Sequence, residues 1–105
     1  MSDSEALWSV GLVVRHRRFQ YRGVIFDVDP VFSGSEEWYD AVARSRPPKD
    51  RPWYHVLVDE HEHTTYVAER HLEADPSGER IRHPLLSDLF DSFDAGVYRR
   101  SNAFN

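Results

Sequence analysis

Residues 53–68 constrain the fold of this chain more than any other stretch. Trp53-Tyr54-His55-Val56-Leu57-Val58-Asp59 is a run of aromatic and β-branched residues. Glu60-His61-Glu62-His63 is a polar turn, and Thr64-Thr65-Tyr66-Val67-Ala68 is a second β-forming run. Two such runs joined by a short polar connection read as a β-hairpin. A lone hairpin is marginal in water, so more strands or a helix must cover it. Leu12-Val13-Val14-Arg15-His16 supplies a short strand, and Arg17 to Gly23 has no hydrophobic period and reads as a turn. Val24-Ile25-Phe26-Asp27-Val28-Asp29 is β-rich and is ended by Pro30. On a regular strand Val24, Phe26 and Val28 share the core face, and Ile25, Asp27 and Asp29 the other.

Residues 30–52 form a long excursion, which a compact domain rarely carries without use. Ser33 and Glu36 have capping-box spacing and Trp38 and Val42 sit at i,i+4, so a short helix is predicted over about 35–45. Three prolines in Arg46-Pro47-Pro48-Lys49-Asp50-Arg51-Pro52 forbid a regular element there. Glu69 to Leu72 reads as a tight turn into a last short strand, and Asp75-Pro76-Ser77-Gly78 breaks the chain. Pro84 suits a first helical turn. Leu85, Leu86, Leu89, Phe90 and Phe93 recur at near-helical spacing and Gly96 supplies a stop, which predicts a helix over 84–95. The expected organisation is a flexible leader over 1–9, with apolar anchors at Leu7 and Trp8, one domain over 10–96 and a flexible tail over 97–105.

The 105 residues include no Cys, which excludes a disulfide framework, a thiolate zinc site and a cysteine nucleophile. The simplest compartment is a reducing cytoplasm. No apolar run approaches the ~20 residues of a membrane span, and the acidic N-terminus does not read as a secretory signal. Net charge is −5, and all of it lies in the second half: residues 1–52 hold 8 basic and 8 acidic residues, residues 53–105 hold 5 and 10. That balance argues against a generic nucleic-acid coat, whose affinity rests on a basic surface.

One local exception is the run Arg15, His16, Arg17, Arg18, Tyr21 and Arg22, with Phe19 interleaved. A turn presenting guanidinium groups beside rings can grip phosphates and lean on bases, so these residues are the candidate DNA contacts; the alternative is a solvated turn paired with the domain's acids. Trp53 and Tyr54 open the central strand. One should enter the core and the other cover the long loop, or a ring is offered to a partner. Leu89, Phe90 and Phe93 pack internally, or form an association surface if left open. Together these five are the candidate protein-contact residues. His61 and His63 flank Glu62, and Asp27 pairs with Asp29. Neither matches a known metal-ligand spacing, so no metal, cofactor or catalytic residue is expected. A chain this short hardly builds a deep pocket as well as a core, so no enzymatic activity is expected.

Several ordered segments resemble the YccV-like family, which takes in bacterial heat-shock proteins of the HspQ type and is also described as a hemimethylated-DNA-binding domain. They are Val14-Arg15-His16-Arg17, Tyr21-Arg22-Gly23-Val24-Ile25, Asp27-Val28-Asp29-Pro30, Pro52-Trp53-Tyr54-His55-Val56-Leu57-Val58 and Tyr66-Val67-Ala68-Glu69 with Leu72. The resemblance runs from about Val10 to Leu72, with His83-Pro84, Phe90, Phe93, Gly96 and Tyr98 beyond it. It implies a mainly β fold: a small, strongly bent, partly open SH3-like barrel with the long loop and a C-terminal helix, and no catalytic machinery. It also implies two roles. One is in stress response and protein quality control, promoting degradation of denatured or unstable proteins by an ATP-dependent protease. The other is binding hemimethylated DNA and regulating expression of the replication initiator. A small domain with free strand edges is expected to form a homo-oligomer, a trimer or dimer.

Overall fold

The computed structural model describes residues 5–100. Strands β1 (Val13–His16), β2 (Arg22–Asp29), β3 (Trp53–Val58), β4 (Thr64–Ala68) and β5 (Leu72–Ala74) form one antiparallel sheet in the order β4-β3-β2-β1-β5. The expected β3–β4 hairpin forms, with Trp53 opposite Ala68 and Leu57 opposite Thr64. A 3-10 turn over Glu69–His71 carries the chain from β4 to β5, at the opposite edge. The sheet is open and does not close into a barrel. It is nonetheless bent, because Val67 on one edge strand and Leu72 on the other share a cluster with Val14, Ile25, Tyr54 and Val56. No helix among the described residues is long and apolar enough to cross a membrane.

The face assignment of β2 differs from the sequence reading. Ile25 is fully buried, and Val28 packs with Ile25's cluster rather than with Val24's. The register shifts between Ile25 and Asp27, so Phe26 and Asp27 together oppose His55. This is a β-bulge: one extra residue inverts the alternation beyond it. Val24 faces a second cluster with Val13, Leu57, Ile81, Phe90 and Tyr98, against which Phe26, Leu86, Leu89 and Phe93 pack. β2 is therefore buried on both sides along its first half; Val24 and Phe26 keep the expected core face, but Ile25 is also in the core and Val28 lies on the opposite side from Val24.

The long excursion contains α1 (Glu36–Val42), capped by Ser35, whose Oγ accepts from the Trp38 amide at 3.0 Å. Ser33, the cap expected from spacing, instead donates its hydroxyl to the Val31 carbonyl. Tyr39 and Ala43 seat the helix on Trp53 and Ala68, with Phe32, Trp38 and Tyr66 around them.

The C-terminal helix expected over 84–95 is a single turn, α2 (Leu86–Leu89). Phe90 leaves it in an extended conformation, and β6 (Ser92–Asp94) and β7 (Val97–Arg99) form a hairpin in place of further helix. The cause is the turn between them: Ala95 and Gly96 both have positive φ, 49° and 83°, as a two-residue hairpin turn requires. Asp-Ala-Gly is thus a turn signal and not a helix stop, and part of the expected tail is strand. The hairpin is fastened to the start of β1. Tyr98 donates its amide to the Gly11 carbonyl at 2.7 Å, and Val13 donates to Gly96 at 3.0 Å. Gly11 has φ 97°, and a Cβ there would lie 2.0 Å from the Tyr98 carbonyl oxygen, so only glycine permits this approach.

In the expected leader, Trp8 packs on the sheet and its amide bonds the Tyr54 hydroxyl, whereas Leu7 is largely exposed. Residues 1–4 of that leader and 101–105 of the expected tail lie outside the described residues.

Candidate functional site

The basic run folds into the connection between β1 and β2. His16 organises it from within. Its backbone closes the turn with Tyr21 and Gln20, and its Nδ1 accepts the amides of Arg18 at 3.1 Å and Phe19 at 3.0 Å. His16 is only 5% exposed. Burial, then the nearby His71 and Arg18, push its pKa down to about 4, so the ring is neutral and its Nδ1 free to accept. Tyr21 shares a 2.7 Å hydrogen bond with the Thr65 hydroxyl across the groove described below, and burial raises its pKa.

Three of the four arginines are answered by acids. Arg15 pairs with Glu73 at 2.7 Å, and Arg17 lies 3.6 Å from the same carboxylate while its Nε donates to the Leu72 carbonyl. Arg22 is a clamp, reaching Asp59 at 3.0 Å, Asp75 at 3.1 Å and the Glu79 carbonyl at 2.6 Å. Arg18 is the exception. Among the described residues no carboxylate lies within ion-pair distance of it, and its guanidinium sits 5.8 Å from the Phe19 ring. The structure thus brings all six candidate DNA residues together, but their charge is largely compensated within the fold.

Beside this turn runs a groove of about 630 Å³. Its floor is β4, from Thr64 to Ala68. One wall is the β1–β2 turn, with Phe19 and Tyr21. The other is α1 and the loop after it, with Trp38, Val42, Ala43 and Pro47. Phe19 is 68% exposed and Val42 55%, which is unusual for large apolar side chains facing one another across a gap. The cations of the lining are Arg18 on one wall and Arg44 on the other; no carboxylate lines it. His71 also lines the groove, and its pKa is lowered by burial and then by Arg70 and Arg18.

The candidate protein-contact residues are placed differently. Tyr54 is fully buried, and its hydroxyl donates to Glu69 at 2.6 Å. Trp53 is 2% exposed and its Nε1 donates to the Pro48 carbonyl, so it does cover the long loop while lying under the groove. Leu89, Phe90 and Phe93 lie together, packed with Tyr98; Phe90 is buried and the other two half-buried. Arg80 lies over the Phe93 ring at 4.7 Å.

Asp27, Asp29 and His55 form a group whose donor atoms lie within 4.8 Å of one another. Those donors are engaged: Asp29 accepts from Tyr66 at 2.7 Å and lies 3.1 Å from His55 Nε2, and Asp27 accepts the Val28 amide. Partial burial would raise the Asp29 pKa, but the bonds from Tyr66 and His55 outweigh it and hold the carboxyl below its usual range. This is a hydrogen-bond network that ties β2, β3 and β4 together. His61 and His63 have rings 5.1 Å apart in the exposed hairpin turn.

Sequence reasoning missed the groove. Trp38, Val42, Arg44 and the length of β4 lie far from the basic run in the chain, and that β4 is an edge strand is a property of sheet order that no local pattern reports.

An open antiparallel sheet with a helix-walled groove along one edge defines a small β domain built around its surface, not an enclosed cavity. The chain belongs to the YccV-like family: a family model described as hemimethylated DNA-binding protein YccV-like matches residues 6–97. That description names DNA binding and no reaction.

Proposed function

We propose that this chain is a non-enzymatic binding protein of the HspQ type, which acts in the cytoplasm, as a homo-oligomer, in protein quality control. It promotes degradation of denatured or unstable proteins by an ATP-dependent protease. The observation that carries this reading is the contrast between turn and groove. Arg15, Arg17 and Arg22 are paired with Glu73, Asp59 and Asp75, so the turn has little charge left for phosphates. The groove beside it is apolar, open and rimmed by exposed Phe19 and Val42, surfaces that suit unfolded polypeptide. Net charge of −5 points the same way. Adding the purified protein to an ATP-dependent protease and an unstable substrate should speed substrate turnover; unchanged turnover with every such protease of the host would refute the reading.

The family description names hemimethylated DNA binding and so favours a second reading. On it the chain binds hemimethylated DNA, and we propose the basic turn as the contact and regulation of initiator expression as the outcome. On that reading Arg17→Ala with Arg18→Ala weakens duplex binding and flattens its salt dependence, because fewer counterions are released. Methylated, hemimethylated and unmodified duplexes that all fail to bind at low salt would remove it.

A further inference from the structure

We infer that the groove binds an extended, acidic-flanked polypeptide segment by strand addition to β4. This deepens the quality-control reading above and rests on it. Strand β4 is a sheet edge. Its ladder to β3 is bracketed by the Val58 amide bonding the His63 carbonyl and the Glu69 amide bonding the Pro52 carbonyl. In an antiparallel pair the bonded positions alternate, so Thr65 and Val67 turn their amides and carbonyls toward β3, while Thr64, Tyr66 and Ala68 turn theirs outward. The Ala68 carbonyl caps the 3-10 turn that follows, but no other chain segment among the described residues bonds the outward main-chain groups of Thr64 and Tyr66 or the Ala68 amide.

An unpaired edge is ordinarily blunted by charge, proline or a covering element. Here it is the floor of a trough, with an apolar wall on each side. A segment laid along β4 would make main-chain hydrogen bonds and point alternate side chains at the two walls, Phe19 and Tyr21 on one and Trp38 and Val42 on the other. Charge selects the occupant. Arg18 and Arg44 stand one on each wall without carboxylate partners among the described residues, and no acid lines the trough of a protein that is acidic overall. A segment with β-forming apolar residues at its centre and carboxylates at its flanks satisfies both walls and both cations.

Ala68 provides a precise test. Its φ is −68°, the value proline imposes, and its amide faces outward, so Ala68→Pro removes an edge donor without breaking the β3–β4 ladder. The probe is a fluorescein-labelled peptide of about seven residues, alternating Val and Thr between terminal glutamates, titrated with the full chain and read by anisotropy. Three results are expected. Methylating the peptide's alternate amides in one phase abolishes binding, while methylating the other phase changes it less than about threefold. Replacing the glutamates by lysines weakens it about tenfold or more. Ala68→Pro weakens it about tenfold or more with an unchanged melting temperature.

Equal effects of the two methylation phases overturn the proposal, as does a parent peptide that does not bind; these arms use the native chain, so they hold even if Ala68→Pro fails to fold. Self-association that Ala68→Pro abolishes, without peptide binding, would assign the edge to a second copy and also overturn it. The two readings separate cleanly. A folded Ala68→Pro that still binds peptide and still stimulates the protease sinks strand addition alone. Peptide binding by the native chain that Ala68→Pro abolishes, with protease stimulation absent even for the native chain, sinks the quality-control role alone.

Discussion

Tyr66 donates its hydroxyl to the Asp29 carboxylate at 2.7 Å and accepts the Ser33 amide at 2.9 Å. One phenol on the edge strand thereby holds the end of β2 and the start of the long excursion. Burial, followed by the Asp29 bond, pushes the Tyr66 pKa up to about 12, so the hydroxyl keeps its proton at any ordinary pH.

Tyr66→Phe should therefore cost about 1–2 kcal/mol at pH 7, measured by urea denaturation. The sign of its pH dependence follows from Asp29, whose folded pKa is depressed. Such a group stabilises above its unfolded pKa, about 3.9, and the contribution disappears as pH falls through the lower folded value. The gap between native chain and variant should narrow below about pH 4.

Arg22 and Arg18 are predicted to behave oppositely. Removing Arg22 strands Asp75, whose side chain is 3% exposed, and leaves Asp59 unpaired. Arg22→Ala should lower stability by about 3 kcal/mol, because an uncompensated buried charge remains. Arg18→Ala, at an exposed position without an ion pair, should stay within about 0.5 kcal/mol. Urea midpoints of the two variants decide it.

His16 makes the turn sensitive to acid. Its folded pKa of about 4 lies below the unfolded value of about 6.5, so between those limits the unfolded chain binds more protons. Stability should rise with pH across that window, by up to about 1.4 kcal/mol per unit from this group, and be fully present above it. His71 shifts the same way and adds to the slope. His16→Asn, which keeps a side-chain acceptor for the Arg18 and Phe19 amides but cannot titrate, should flatten the profile in a pH series of urea melts.

Ala95 occupies the left-handed region at φ 49°, where a Cβ is penalised. Ala95→Gly should raise the melting temperature, with a gain of about 1 kcal/mol or less after the added entropy of the unfolded chain. Calorimetry of the single variant tests it.

The elements that could be read from the sequence are those whose pattern is local. The β3–β4 hairpin, the short helix after Ser35 and the chain break at Asp75 each carry their signals within a few residues. The bulge at Phe26 does not: Val24, Phe26 and Val28 fit one face of a regular strand, and only pairing with His55 reveals that two residues oppose one. The stretch after Pro84 misleads for a related reason, since Leu86, Leu89, Phe90 and Phe93 fit a helix period while the turn at Ala95 and Gly96 demands strands on either side. The basic run was legible as a cluster, but its partners Glu73, Asp59 and Asp75 come from distant positions, and so does the neutralisation they bring.

The clasp between Gly11 and Tyr98 has a consequence for how the chain is made. Val13 and Val24 belong to the same buried cluster as Phe90 and Tyr98, so on the ribosome the early strands must wait, with one apolar flank uncovered, until Tyr98 has emerged. During that interval the nascent chain is itself the kind of sticky, half-folded polypeptide that chaperones attend.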